Sequence, residues 1–275
     1  MRKVLLIIVL IIICFFLYGR YINPNGLKTE EYTIKSNYLS DSFDSFKIVH
    51  FSDLLFDSYT DDNMLDNITK SINELKPDII IFTGDLVNSS YKIDNEQKQK
   101  IIDSLKRLKP NLYKYAVIGD KDKKRLSQYE NIIERSDFIL LDNDYEYLFY
   151  KDVDPIKIIG ITDTSYNSDI LSDEEGITPQ YKIALTHYSD NYEKLKKDGF
   201  DLVLAGNSLG GQVRLPFIGG LIRNEGSKKY IDSNSTDKLS KLYVSNGIGC
   251  LKYHFRTFNS PTINLYRLDT KDNSK

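Results

Sequence analysis

Six short runs, at residues 46–51, 78–82, 113–118, 156–161, 181–186 and 201–204, are largely apolar through their centres instead of alternating apolar with polar. Alternation marks a strand with one wet face, whereas a continuously apolar centre marks a strand covered on both faces. The segments between the runs supply the cover. Leu65, Ile68, Ile72 and Leu75 recur at helical spacing, Ile101, Ile102, Leu105 and Leu108 do the same before Pro110, and a third helical stretch lies near 126–133. Strands alternating with helices specify an α/β fold. At 275 residues, with 41% hydrophobic and 12% aromatic content, the chain has enough apolar material for a full core.

Residues 4–18 form an apolar run without a polar face, preceded by Arg2 and Lys3 and followed by Arg20. A buried helix of a soluble protein normally keeps a polar stripe, so the run reads as a membrane segment. A cleavable signal peptide wants small residues at its cut site, but residues 15–21 (FFLYGRY) offer aromatics and a charge, so an uncleaved anchor over 1–22 is expected. Arg2 and Lys3 favour a cytoplasmic N-terminus in the cell membrane, with Tyr18 and Tyr21 at the interface and the body outside the cytoplasm. The polar residues 23–45, with the turn signal Asn23-Pro24-Asn25-Gly26, read as a stalk leading to a first edge strand over 31–35. The main domain is expected over 46–268, with a loop at 224–241 and a meander of strands at 242–244, 251–258 and 263–268; residues 269–275 read as a flexible tail. A net charge of −2 with dispersed lysines and arginines leaves no basic field for nucleic acid. Cys14 lies in the apolar run and Cys250 near the far end, so no disulfide framework is expected.

In an α/β sheet the loops at the carboxyl ends of the strands converge on one crevice. Asp53, Asp85, Asp120 and Asp122 each follow a strand run, His187 follows another, and Asn207 follows a third. One such Asp or Gly-Asp is ordinary turn chemistry. Four in order are a constellation. The stretches are FSDLL (51–55), TGDLV (83–87), VIGDKD (117–122), LTH (185–187) and LAGNSLGGQ (204–212). In order and spacing they resemble the D-x-H, G-D, G-N-H-D, single-H and G-H-x-H-G-G-Q series of the calcineurin-like metallophosphoesterases. GGQVRLP (210–216), GGLI (219–222) and LYVSNGIG (242–249) resemble the membrane-anchored branch of that family, and the likeness covers roughly 46–268.

The resemblance implies a four-layer α/β/β/α sandwich and a centre in which two divalent metals, bridged by an aspartate and a hydroxide, clamp a phosphoester for in-line attack. Carried over, Asp53 would hold the first metal and Asp85 would bridge. Leu55 and Leu209 stand at two of the first metal's histidine positions, so that half-site is expected to be lost. The second keeps Asp85 and His187, with Asp120 at the family's asparagine and Asn207 at a histidine. This oxygen-rich set suits one hard cation, Mn²⁺, Mg²⁺ or Ca²⁺, better than zinc. On its own, His187 reads equally as a satisfied core histidine. Lys121 stands at the proton-donor position, where a lysine can neutralise phosphate but shuttles protons poorly near neutral pH; its plainer reading is a salt bridge to Asp120 or Asp122. Two functions compete: a catalytically impaired, membrane-anchored binding or scaffold protein for a phosphoester or phospholipid-like ligand, and an active hydrolase using one metal with Lys121 assisting.

Overall fold

The computed structural model describes residues 1–270 except 163–165, 167, 235, 236 and 238. The chain opens with helix α1 (Arg2–Leu17), which continues through a π-helical turn (Tyr18–Ile22) and a 3-10 turn (Asn23–Asn25). The body follows as β1 (Lys28–Lys35), β2 (Lys47–Phe51), α2 (Asp62–Glu74), β3 (Ile79–Phe82), α3 (Asn95–Lys106), β4 (Tyr113–Ala116), α4 (Asp120–Lys123), α5 (Leu126–Arg135), β5 (Ile139–Leu140) and β6 (Asp144–Leu148). Then come β7 (Ile156–Ile161), β8 (Tyr181–Tyr188), α6 (Tyr192–Lys197), β9 (Leu202–Gly206), a small hairpin β10 (Arg214–Leu215) and β11 (Gly219–Gly220), β12 (Lys241–Val244) and β13 (Thr262–Asp269). Local signals set the helix starts. Asp61 caps α2 through the Met64 N–H, and Asp94 with Gln97 forms a capping box on α3.

Two mixed sheets result, ordered β1-β13-β2-β3-β4-β5 and β12-β9-β8-β7-β6. Their packing follows from the two-residue period of a strand. Val49, Phe51, Ile80 and Phe82 face a core shared with Leu65, Ile68 and Ile72 of α2, Ile101 and Leu105 of α3 and Ile132 of α5. The alternate residues Ile48, Ile79 and Ile81 face the second sheet through Ile156, Ile158, Ile183, Leu202 and Leu204. Ile159, Ala184 and Val203, on the outer side of that sheet, meet Tyr192 and Leu195 of α6. Three apolar layers between four structural layers make the α/β/β/α sandwich expected, and explain why the strand centres are apolar throughout.

Two expected features are arranged differently. The C-terminal strands do not form a meander. β12 pairs in parallel with β9 in the second sheet, whereas β13 inserts into the first, between β1 and β2. Residues 251–258 are not a strand: Arg256 turns fully inward and donates to the carbonyls of Asn246, Gly247 and Gly249, while Tyr253 and Phe258 face outward. Nor is the polar stretch after α1 a free stalk. Asn23 and Pro24 are buried, Asn23 bonds Tyr18 and Ser260, and the Arg256 N–H donates to the Gly19 carbonyl at 2.9 Å. A Cβ at Gly19 would lie 2.5 Å from the Phe255 ring, so the close contact requires glycine. The described residues of the loop expected at 224–241 are largely irregular, with Asn234 bridging to Leu242. β13 runs to Asp269 and Thr270 is buried; the rest of the expected tail, 271–275, lies outside the described residues.

Candidate metal centre

The strand ends bring three potential ligands together at the bottom of one crevice. One ligand atom each from Asp53, Asp85 and His187 lie within 4.8 Å of one another, all buried. His187 reaches in from a β-bulge: the β8–β9 register shifts between Thr186 and Tyr188, and a bulge re-aims the side chain it carries. Its Nδ1 lies 2.6 Å from the Thr83 carbonyl, fixing that nitrogen as the donor and turning Nε2 toward Asp85, 3.3 Å from Oδ2. That approach is off the line of a hydrogen bond, and Nε2 has no hydrogen-bond partner. Asp53 accepts the Asn207 backbone N–H on Oδ2 at 2.9 Å, and its buried Oδ1 is likewise unpartnered.

The loops keep an unusual backbone. Asp53, Leu55, Asp85, Asn207 and Leu209 have φ of 51°, 47°, 61°, 63° and 47°, the left-handed region. Asp and Asn tolerate that conformation through local hydrogen bonds, but for leucine it costs on the order of 1 kcal/mol or more. Leu55 and Leu209 are both buried, and a Cβ at Gly247 would touch the Asp53 side chain and Leu209 Cγ together, so an isobutyl group borders Asp53. Gly119 lets the third loop close on the second: a Cβ there would lie 2.3 Å from the Asp85 nitrogen.

Lys121 takes a different partner from the two expected. Its ammonium pairs with Asp85 Oδ2, not with Asp120 or Asp122, and its backbone N–H donates to Asp85 Oδ1 at 2.7 Å. Asp122 is a structural anchor, accepting the N–H groups of Asp85, Leu86 and Gly119. Asp120 stands outside the Asp53–Asp85–His187 group; it is exposed and accepts a 3.4 Å hydrogen bond from the Tyr188 hydroxyl. Asn207 directs its amide nitrogen away, to the Glu225 carbonyl and the Ser227 hydroxyl. Of the residues expected to hold one cation, Asp85 and His187 therefore converge, joined by Asp53 instead of Asp120.

Burial disfavours charge on every member of this group, and their mutual attraction decides the outcome. Burial raises the Asp85 carboxyl, but the charge of His187 and the charge and hydrogen bonds of Lys121 more than offset it and hold the group well below the usual carboxylate range. Burial and the Asp85 charge leave Asp53 raised, against the pull of His187 and Lys121. Burial lowers His187, yet Asp85, Asp53 and the Thr83 carbonyl raise it to about 9. Lys121 is lowered by burial and raised overall by Asp85 and Asp53. With both carboxylates ionised, one ammonium and one imidazolium bring the group to neutrality. The unpartnered Asp53 Oδ1 and His187 Nε2, with an Asp85 oxygen, also fit one divalent cation, provided His187 gives up its Nε2 proton.

Known proteins resemble this chain over most of its length. The sequence model for calcineurin-like phosphoesterases matches residues 46–213. The chain is 30% identical over 258 residues, 91% of its length and 88% of the relative's, to the uncharacterized metallophosphoesterase YkuE of Bacillus subtilis. It is 20% identical to the phosphodiesterase YaeI of Escherichia coli, covering 92% of each chain. It is 23% identical to the UDP-2,3-diacylglucosamine pyrophosphatase LpxG of Chlamydia muridarum, again covering 92% of each. Among solved structures, NAD nucleotidase of Haemophilus influenzae aligns with a TM-score of 0.44 at 14% identity, over 74% of this chain and 45% of that one.

Proposed function

Because the chain belongs to the calcineurin-like phosphoesterase family, we propose that it is a membrane-anchored phosphoester-binding protein whose two-metal centre is reduced to one cation site and whose hydrolytic turnover is weak or lost. The observation that carries this reading is the Lys121 ammonium on Asp85, the carboxylate at the family's bridging position. The ammonium takes the place of a second positive ion beside that carboxylate. Leu209 places hydrocarbon beside Asp53, and Leu55 is buried at another ligand position.

A divalent cation on Asp53, Asp85 and His187 would contribute Lewis-acid charge to a phosphoryl oxygen. The remaining roles fall to the chain's own side chains. Lys121 presents a fixed positive charge to a phosphate, and its raised pKa keeps it from donating a proton to a leaving group near neutral pH. Thr83 holds the His187 ring in one orientation through Nδ1. The α1 segment, apolar enough over Arg2–Asn25 to cross a membrane, supports an anchored protein with a cytoplasmic N-terminus and the body on the outer face. The hydrolase names of YaeI and LpxG support a phosphoester as the ligand, lipid-linked in the second case.

An alternative is an active hydrolase working with one metal and Lys121 assisting, compatible with the unpartnered Asp53 Oδ1 and His187 Nε2. Hydrolysis of an aryl phosphodiester by the full chain in detergent with Mn²⁺ separates the two. The proposal expects turnover far under ~1 s⁻¹ and a gain on restoring histidine at Leu55, Lys121, Asn207 and Leu209 together. Turnover of ~1–10³ s⁻¹ by the native chain, the range of ordinary enzymes, would establish the hydrolase instead.

A further inference from the structure

We propose that the tip of the β10–β11 hairpin is a second membrane contact, with Phe217 and Ile218 seated in the bilayer beside α1 and lipid phosphates met by Arg20, Lys252 and His254. The proposal rests on α1 lying in a membrane. Phe217 is fully exposed and Ile218 is 69% exposed, and adjacent bulky apolar side chains held in water at a loop tip mark an interaction surface.

The hairpin's attachment says what it meets. Val213 pairs with Thr257, the Arg214 N–H donates to the Thr257 carbonyl at 3.0 Å, and the Thr257 hydroxyl returns a 2.8 Å bond to the Arg214 carbonyl. Thr257 in turn packs on Gly19, where a Cβ would lie 2.8 Å from its methyl group. The hairpin therefore springs from the residue on which the end of α1 rests. Around that junction Phe15 and Phe16 meet Phe255, Phe15 meets Phe258, and Tyr253 is 66% exposed, the aromatic enrichment of a membrane–water boundary.

Charge at the junction selects lipid over a protein partner. A groove of about 390 Å³ opens there, and its lining includes Phe16, Arg20, Tyr59, Lys252 and His254. Arg20 and Lys252 lie over the Tyr59 and Tyr253 rings at 4.6 and 5.3 Å, and neither has a carboxylate partner among the described residues. Anionic headgroups supply the missing charge. The base of the hairpin packs on the loop that follows β9: a Cβ at Gly220 would lie 2.9 Å from the Gly210 carbonyl, one residue beyond Leu209. A tip held in the bilayer thus turns the rim of the crevice toward the headgroup layer, where a lipid-borne phosphoester would present itself.

The chain has no tryptophan, so one introduced indole reports alone. Three full-length variants, Leu10→Trp within α1, Phe217→Trp at the tip and Tyr38→Trp beyond the far end of β1, are reconstituted in phosphatidylcholine–phosphatidylglycerol vesicles containing acyl-brominated lipid. β1 carries the chain about 26 Å over its eight residues before Tyr38, which makes that position the aqueous reference. Unchanged melting temperatures establish that the variants are folded. The proposal expects bromolipid quenching at positions 10 and 217 and none at 38. Quenching at 10 with position 217 accessible only to aqueous acrylamide overturns it while leaving the anchor intact. No quenching at 10 removes the anchor and the proposal with it, and equal quenching at all three positions overturns the specific orientation.

Discussion

Replacing Lys121 by methionine removes the ammonium from Asp85 while keeping most of the side-chain volume. The Asp85 side chain is fully buried and that of Lys121 is 12% exposed, so bulk water does not replace the lost charge. Two buried carboxylates are left with the His187 imidazolium as the cation beside them. Breaking a buried pair by removing one partner costs about 3–5 kcal/mol, because the remaining charge stays desolvated. At about 2–4 °C per kcal/mol for a body of this size, the melting temperature of Lys121→Met in EDTA should fall by roughly 6–20 °C. A divalent cation can then restore the missing charge. Mn²⁺ at a hundredfold over its dissociation constant should return about 2.7 kcal/mol, and bind more tightly than in the native chain, where the ammonium competes. Differential scanning fluorimetry of both full-length proteins, with EDTA and across a Mn²⁺ series, reads both effects. A variant that melts within a degree or two of the native chain in EDTA, or gains no more from Mn²⁺, would refute the idea that Lys121 serves as the resident cation.

Elsewhere, burial lowers His50 to about 3; its ring is held between the Thr83 hydroxyl and Tyr266. The unfolded chain then binds the extra proton below pH 6.5, so the contribution is complete above that pH and is lost as pH falls toward 3, amounting to about 2 kcal/mol between pH 7 and 5. Denaturant midpoints should show that part of the slope vanish in His50→Gln, and an unchanged slope would place the pH dependence elsewhere. Arg256, fully buried and bonded to three backbone carbonyls, uses the planar fork that lysine lacks. Arg256→Lys should therefore cost about 3 kcal/mol or more, from hydrogen bonds to a charged group worth about 1.5–3 kcal/mol each, and a native-like melting temperature would contradict that account.

Strand centres were legible because burial between two layers demands apolar residues on both faces, as Ile79, Ile80 and Ile81 show by pointing alternately to the helices and to the second sheet. The crevice was legible because Asp53, Asp85 and His187 sit at carboxyl ends of strands in the order the family pattern requires. Partner choice was not. A short apolar run such as Leu242–Val244 fits either sheet, and only tertiary packing sends β12 to one and β13 to the other. Residues 251–258 gave no strand, since Arg256 faces inward to carbonyls that carry no sequence signal while Phe255 and Phe258 pack on α1. Lys121 has a long, flexible side chain with Asp85, Asp120 and Asp122 all nearby, and nothing local to the GDKD stretch favours the one 36 positions away.

Mn²⁺ titration of the full-length chain by isothermal calorimetry tests the central claim most directly. One cation per chain is predicted, bound by Asp53, Asp85 and His187, and lost in Asp53→Ala, Asp85→Ala and His187→Ala but retained in Asp120→Ala. Retention in Asp53→Ala would restore the ligand set expected from sequence alone. Two ions per chain, or none at millimolar Mn²⁺, would contradict a centre reduced to one cation site.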